Sequence, residues 1–202
     1  GGSDGGVLNN CTVVGNSADG GGGGTYDGAL TNCIVYYNRA PSGPNHEDST
    51  FDYSCTTPAP MGLGNITNEP ALASSSHLAL GSPCRGTGRG ASASGTDLDG
   101  EAWLNPPSMG CDELVAGSIT GALNVSAWAA FTNVVTGFPL QFRADISGRT
   151  TASVWQWGDG SESSNRPYAV HAFPSNGVYT VILTARNESY PLGVAVTVTV
   201  QA

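Results

Sequence analysis

Two different periodicities divide the chain. Toward the C-terminus, apolar and polar residues alternate with period 2. Tyr179, Val181, Leu183 and Ala185 share one face of a predicted strand, and Val194, Val196, Val198 and Val200 share one face of the next. Phe138, Leu140 and Phe142 continue the pattern. Strands of this kind, about ten residues apart, predict an antiparallel sandwich. Toward the N-terminus the runs are shorter and recur. Val7–Asn16 aligns with Ala29–Asn38 at an offset of 22, and a second step of 22 reaches Phe51–Thr57. Short β-rich runs at such a period, punctuated by Gly and Asn, predict a solenoid of stacked turns, and a parallel β-helix fits best. Cys11, Cys33 and Cys55 fall in register and are expected to stack as an inward ladder, with Asn10, Asn32 and Ser54 at the adjoining bend. Ala18–Gly28, with five successive glycines, is expected to protrude as a loop, and Pro58 and Pro60 to interrupt the third coil.

Composition sharpens the division. Residues 1–114 carry a net charge of −9 and all five cysteines, whereas residues 115–202 are neutral and have none. Two domains are expected, 1–114 and 115–202. Only 11% of the 202 residues are charged, and all seven basic residues are Arg. The absence of Lys excludes a Schiff-base enzyme and a Walker-type phosphate loop. The acidic balance argues against nucleic acid as a partner. No apolar run approaches the ~20 residues of a membrane span, so direct membrane insertion is not expected. The opening Gly1-Gly2-Ser3-Asp4-Gly5-Gly6 already lies in a patterned region, as in a fragment or processed product.

The segment Leu80–Gly88, followed by Thr96-Asp97-Leu98-Asp99-Gly100 and Met109-Gly110-Cys111-Asp112-Glu113, resembles the closing end of bacterial secreted right-handed parallel β-helix proteins of the pectate-lyase-like repeat kind. It departs from their pattern at Arg85-Gly86, Trp103 and Cys111. The resemblance covers roughly residues 5–114 and implies a right-handed β-helix of about 22 residues per coil. It says little about activity. In the extracellular setting it implies, Cys84 and Cys111 are candidates for a structural disulfide across the closing coil, leaving the three ladder thiols reduced and buried. A bridge within the ladder, such as Cys11–Cys33, is the alternative.

A second resemblance is carried by Trp155-Gln156-Trp157-Gly158-Asp159-Gly160, then His171-Ala172-Phe173, then Gly177-Val178-Tyr179 and the strand ending in Arg186-Asn187. The order and spacing resemble the polycystic-kidney-disease (PKD) domain over roughly residues 117–202. The resemblance implies an all-β, immunoglobulin-like sandwich found in extracellular spacers, adhesion units and accessory parts of glycan-degrading or proteolytic enzymes. It makes Trp155, Trp157, Gly158, Asp159, Gly160, His171, Phe173 and Tyr179 core-motif residues.

Candidate chemistry is sparse. Asp97-Leu98-Asp99-Gly100 has the look of a calcium loop, but position 12 counted from Asp97 is Ser108 and not Glu. A turn in which Asp bonds its own backbone is the stronger reading, with Ca2+ left open and no other cofactor expected. His46 and His77 are isolated and lack zinc-ligand spacing. Asp4, Asp19, Asp27, Asp48 and Asp52 do not recur at 22, so no stacked acidic groove is expected. Tyr36, Tyr37, Trp103 and Trp128 are candidates for stacking on sugar rings, with core packing the stronger reading for most. The expectation is a non-catalytic, secreted or cell-surface protein, bacterial in type. Its partners would be further copies of itself, joined through open β-helix ends and PKD contacts into a surface polymer or filament. The alternative is an accessory, carbohydrate-binding part of a polysaccharide lyase or hydrolase whose catalytic coils lie elsewhere.

Overall fold

The computed structural model describes residues 1–202. It is all-β apart from one 3-10 turn at Gly90–Ser92. The chain divides into two compact units. The first comprises Gly1–Pro70 and Gly81–Leu114, and the second Ala71–Leu80 and Val115–Ala202. The short excursion Ala71–Leu80, expected in the first domain, groups with the second unit. There Leu72 and Leu78 form an antiparallel bridge with both side chains buried, and the Leu80 N–H donates to the Thr151 carbonyl.

The first unit is a parallel β-helix of three coils. Coil one contains β1 (Ser3–Asp4), β2 (Val7–Asn9) and β3 (Thr12–Val14). Coil two contains β4 (Thr25–Tyr26), β5 (Ala29–Thr31) and β6 (Ile34–Tyr36). Coil three contains β7 (His46–Glu47), β8 (Thr50–Asp52) and β9 (Cys55–Thr56). The strands stack into three parallel sheets, β1-β4-β7, β2-β5-β8 and β3-β6-β9. Side chains of Val13, Leu30, Cys33, Val35 and Phe51 fill the interior, with Leu8 and Cys11 packed against them.

The register corrects the expected repeat. Coils one and two are offset by 22, as in Val13↔Val35, but coils two and three are offset by 21, as in Leu30↔Phe51 and Ile34↔Cys55. One residue is lost in the connection after Arg39, because Ser17↔Arg39 keeps the longer step and Gly21↔Ser42 has the shorter. A one-residue shift reverses which way a side chain points in a strand. Cys55 therefore leaves the expected ladder and joins the column of Thr12 and Ile34. The level of Cys33 is taken in coil three by Ser54, whose hydroxyl accepts the Cys33 N–H at 3.0 Å. The left-handed bend of Asn10 and Asn32 (φ +49° and +53°) is likewise continued by Tyr53 (φ +48°) and not by Ser54.

The glycine run is also not a protruding loop. Gly22, Gly23 and Gly24 are buried at the corner that leads into β4. Gly23 and Gly24 receive coil one through Gly2 and Ser3, and donate to the Gly43 and Pro44 carbonyls of coil three. Any Cβ at Gly23 would collide with the Pro44 and Arg39 carbonyls. The run is glycine because successive backbones meet there. Next to it, an amide ladder joins the coils. The Asn16 N–H donates to Asn38 Oδ1 at 2.9 Å, and the Asn38 N–H donates to Asn45 Oδ1 at 3.1 Å.

The closing segment lies on the outer face of the β3-β6-β9 sheet. The Gly110 N–H donates to the Asn32 carbonyl at 2.8 Å, and the Cys111 N–H to Thr12 Oγ1 at 3.1 Å. Asn32 and Arg89 exchange two bonds, Nδ2 to carbonyl at 3.0 Å and N–H to Oδ1 at 2.6 Å.

The second unit is an antiparallel sandwich. One sheet orders β10 (Asn124–Ala129), β11 (Leu140–Ser147) and β14 (Tyr168–His171). The other orders β13 (Glu162–Ser164), β12 (Ala152–Gln156), β15 (Val178–Arg186) and β16 (Val194–Gln201). The period-2 expectation holds in β15, where Tyr179, Val181, Leu183 and Ala185 are all buried. Phe138 precedes β11 and stays 39% exposed, so only Leu140 and Phe142 of that trio enter the core.

Candidate functional site

Strands β12 and β14 of the sandwich bring the aromatic motif residues into one continuous stack. Trp155 and Trp157 lie two apart on one face and stack at 5.4 Å, with Phe142 against both. Trp157 stacks on His171 at 4.6 Å, His171 meets Phe173 edge-on, and Phe173 stacks on Tyr179 at 4.4 Å. Each indole N–H has a partner, Arg166 carbonyl for Trp155 and Ser163 Oγ for Trp157. Gly158 (φ +83°) turns the chain where a Cβ would press on the Thr180 backbone. Gly160 (φ +91°) completes the turn.

Asp159 sits at the end of this stack. Its Oδ2 bonds His171 Nε2 at 2.8 Å, and its Oδ1 accepts the Ser161 N–H and hydroxyl at 2.9 and 2.6 Å. Burial on its own would raise the carboxyl, but the Ser161 and His171 hydrogen bonds outweigh it and hold Asp159 at about 2 against an ordinary 3.8. A carboxylate whose folded pKa is depressed adds stability that is complete above its unfolded pKa and is lost as pH falls through the folded value. The sandwich is therefore expected to lose stability between about pH 4 and pH 2 through this group. Asp159→Asn should flatten that part of the pH profile, as read by denaturant midpoints at stepped pH. His171 is thus oriented by a carboxylate and an indole, which is a structural arrangement, and no nucleophile is bonded to it.

In the closing segment Asp97 is buried and bonds backbone. Oδ1 accepts the Asp99 and Glu101 N–H groups at 2.9 and 2.8 Å, and Oδ2 accepts the Glu113 N–H at 2.8 Å. Glu113 in turn accepts the Ser108 N–H and hydroxyl. The calcium-loop pattern is here an Asp-centred turn tied to the end of the segment. Half-buried Trp103 separates two open clefts. One, of about 330 Å³, is lined by Asn9, Asn10, Ser92, Thr96 and Leu98 among others, and one of about 450 Å³ by Gly90, Ala91, Leu104 and Asn105. Of the other aromatic candidates, Trp128 is 49% exposed beneath the Arg143 guanidinium, while Tyr36 and Tyr37 are half-buried and pack edge-on. Tyr37 lies just past β6 in the left-handed region (φ +57°), so the two rings do not alternate as strand neighbours.

The shorter second step also stacks acids that a search at 22 misses. Asp27 and Asp48 occupy the same bend of successive coils, with φ of +50° and +52°. Asp4 and Glu47 flank Tyr26 in the adjoining column. The Tyr26 phenol is raised by Asp48 first, then by burial and by Glu47 and Asp27. Asp27 and Asp48 are both exposed, so this is an acidic surface corner. His46 is held by the Pro58 carbonyl and the Phe51 ring, and His77 by the Ser74 and Ser76 hydroxyls.

The cysteines correct the expected pairing. All five carry thiols, and no disulfide joins Cys84 to Cys111. Their backbones come close, since the Met109 N–H donates to the Cys84 carbonyl, but Cys84 Sγ turns to Cys55. Cys11 and Cys33 pair inside the coil. The 21-residue step, by moving Cys55 outward, creates this two-pair arrangement.

Residues 128–200 match the family of the PKD domain. Such a domain is a non-catalytic, immunoglobulin-like module, commonly extracellular and engaged in adhesion or protein interaction. No curated protein matches the chain. No helix is long and apolar enough to cross a membrane.

Proposed function

We propose that this chain is a non-catalytic, secreted structural or adhesion segment. In this reading the chain associates with further copies of itself, and its PKD sandwich serves as the outward spacer or contact module. The observation that carries this is the match of residues 128–200 to the PKD domain family, whose members are commonly extracellular and engaged in adhesion or protein interaction.

The wild-type chain is expected to increase in mass with concentration in light scattering. A wild-type monomer throughout the series sinks the association reading.

The second reading, a carbohydrate-contacting accessory segment, is favoured by half-buried Trp103 between its two open clefts. A monomer that binds oligosaccharides, and loses that binding in Trp103→Ala, would establish this reading in place of the first.

A further inference from the structure

We infer that the outer face of β10 and β11 docks on the same face of a second copy about a two-fold axis. The inference rests on the self-association proposed above and gives it a surface.

Register places the groups. Trp128 of β10 stands opposite Arg143 of β11, and two residues along, Ser126 stands opposite Asp145. All four side chains are exposed, while Ala144, between the two charges, is buried. Strand alternation therefore puts the four on the outward side. They form two adjacent rows, one of Trp128 and Arg143, the other of Ser126 and Asp145. The first row is bulky and cationic, the second small and anionic.

Each row complements the other and not itself. Two copies of a sheet face pack with their strands nearly aligned. A two-fold along the strands would lay each row on itself, bringing both guanidinium groups to one level and both carboxylates to the next. A two-fold across the strands, over the Ala127–Ala144 pair, lays each row on the other. Arg143 then meets the partner's Asp145, and Trp128 meets the partner's Ser126, each twice by symmetry. Opposed charges favour this second arrangement and like charges disfavour the first.

The charged pair is already set for it. Arg143 donates from Nε and Nη2 to the single oxygen Oδ2 of Asp145, at 3.1 and 2.9 Å. Nη1 and the other carboxylate oxygen remain for the second copy, so docking extends the pair without breaking it. The guanidinium carbon lies 5.8 Å from the centre of the Trp128 ring, which holds it from the other side. An ion pair with half of each side chain exposed adds little to the fold of one chain. Covered by a second face, the same charges interact in a lower dielectric and select the partner's orientation. Exposed tryptophan and arginine side by side are also the residue types that anchor interfaces. Two strands of six and eight residues offer less than the ~800 Å² per partner of a standard interface, so the dimer is weak and concentration-dependent. A two-fold contact is isologous and closes at two copies.

The full chain would be followed by sedimentation equilibrium over a concentration series. The wild-type mass is expected to approach twice that of one chain. Arg143→Asp and Asp145→Arg each put like charges into both cross contacts, and each should weaken the dimer roughly tenfold or more. Mixed one to one, the two variants should form a heterodimer, because one face is then all acidic and the other all basic. The double swap should dimerise with itself again. Ser126→Tyr fills the seat of the partner's Trp128 and should also abolish the dimer, which decides the matter if a charge variant does not fold. A wild-type chain that associates equally well in every variant overturns this face and leaves the association reading standing. A wild-type monomer overturns both. A monomer that binds oligosaccharides, and loses them in Trp128→Ala, assigns the face to glycan and likewise overturns the inference.

Discussion

Trp155→Ala is expected to destabilise the sandwich by roughly 3–5 kcal/mol, the range for removing a buried tryptophan. Trp155 has no exposed surface and is flanked by Trp157 and Phe142. Truncation opens a cavity at the centre of the aromatic stack, which strands on both sides hold in place and cannot collapse to fill. It also leaves the Arg166 carbonyl without its indole donor. Val178→Ala, at a 70%-exposed position of β15, should change stability by no more than about 0.5 kcal/mol. Denaturant unfolding gives the magnitudes. Hydrogen exchange should place the loss in β11, β12 and β15 and leave protection in β5 and β6 unchanged. Equal losses for the two variants would mean that the stack does not organise this core.

The sandwich was legible because its signals are local and chemically distinct. Two tryptophans two residues apart share a face in any strand, and a Gly-Asp-Gly turn permits few backbone courses. The bond from Asp159 to His171 was not legible as such, since it joins residues that only the fold brings together. The β-helix was legible in its first interval and misread in its second. Cys55 stands 22 residues after Cys33, and that coincidence hid the true step of 21. The correct phase was available in Asp27 and Asp48, which are 21 apart and both take the left-handed bend, but a single period applied throughout discards it. Asn16 and Asn38 were also visible at 22, yet their amide ladder ends on Asn45, only seven residues beyond Asn38, so no repeat search finds its last rung. The five glycines were misread for a physical reason. Glycine serves flexible loops and tight backbone contacts alike, and composition does not say which until the neighbouring coils are placed.

That last distinction yields the second large effect. Gly23→Ala is expected to cost the β-helix about 3 kcal/mol, at the upper end of overpacking. The added Cβ would overlap the Pro44 and Arg39 carbonyls, which are backbone atoms and cannot rotate aside as a side chain would. Relief requires the corner to open, and opening it strains the hydrogen bonds from Gly2 to Gly23 and from Gly23 to Gly43 that join the three coils. Gly20→Ala is the matched control in the same glycine run. A Cβ there meets nothing within 4 Å, and its φ is not in the left-handed region. It should be neutral or slightly stabilising, because alanine narrows the unfolded ensemble. A protruding loop would tolerate both substitutions alike. A stacked corner separates them by a lowered denaturant midpoint and lost amide protection in β4, β5 and β6 for Gly23→Ala alone. If the two variants unfold together, the glycine run is not the packed seam between coils.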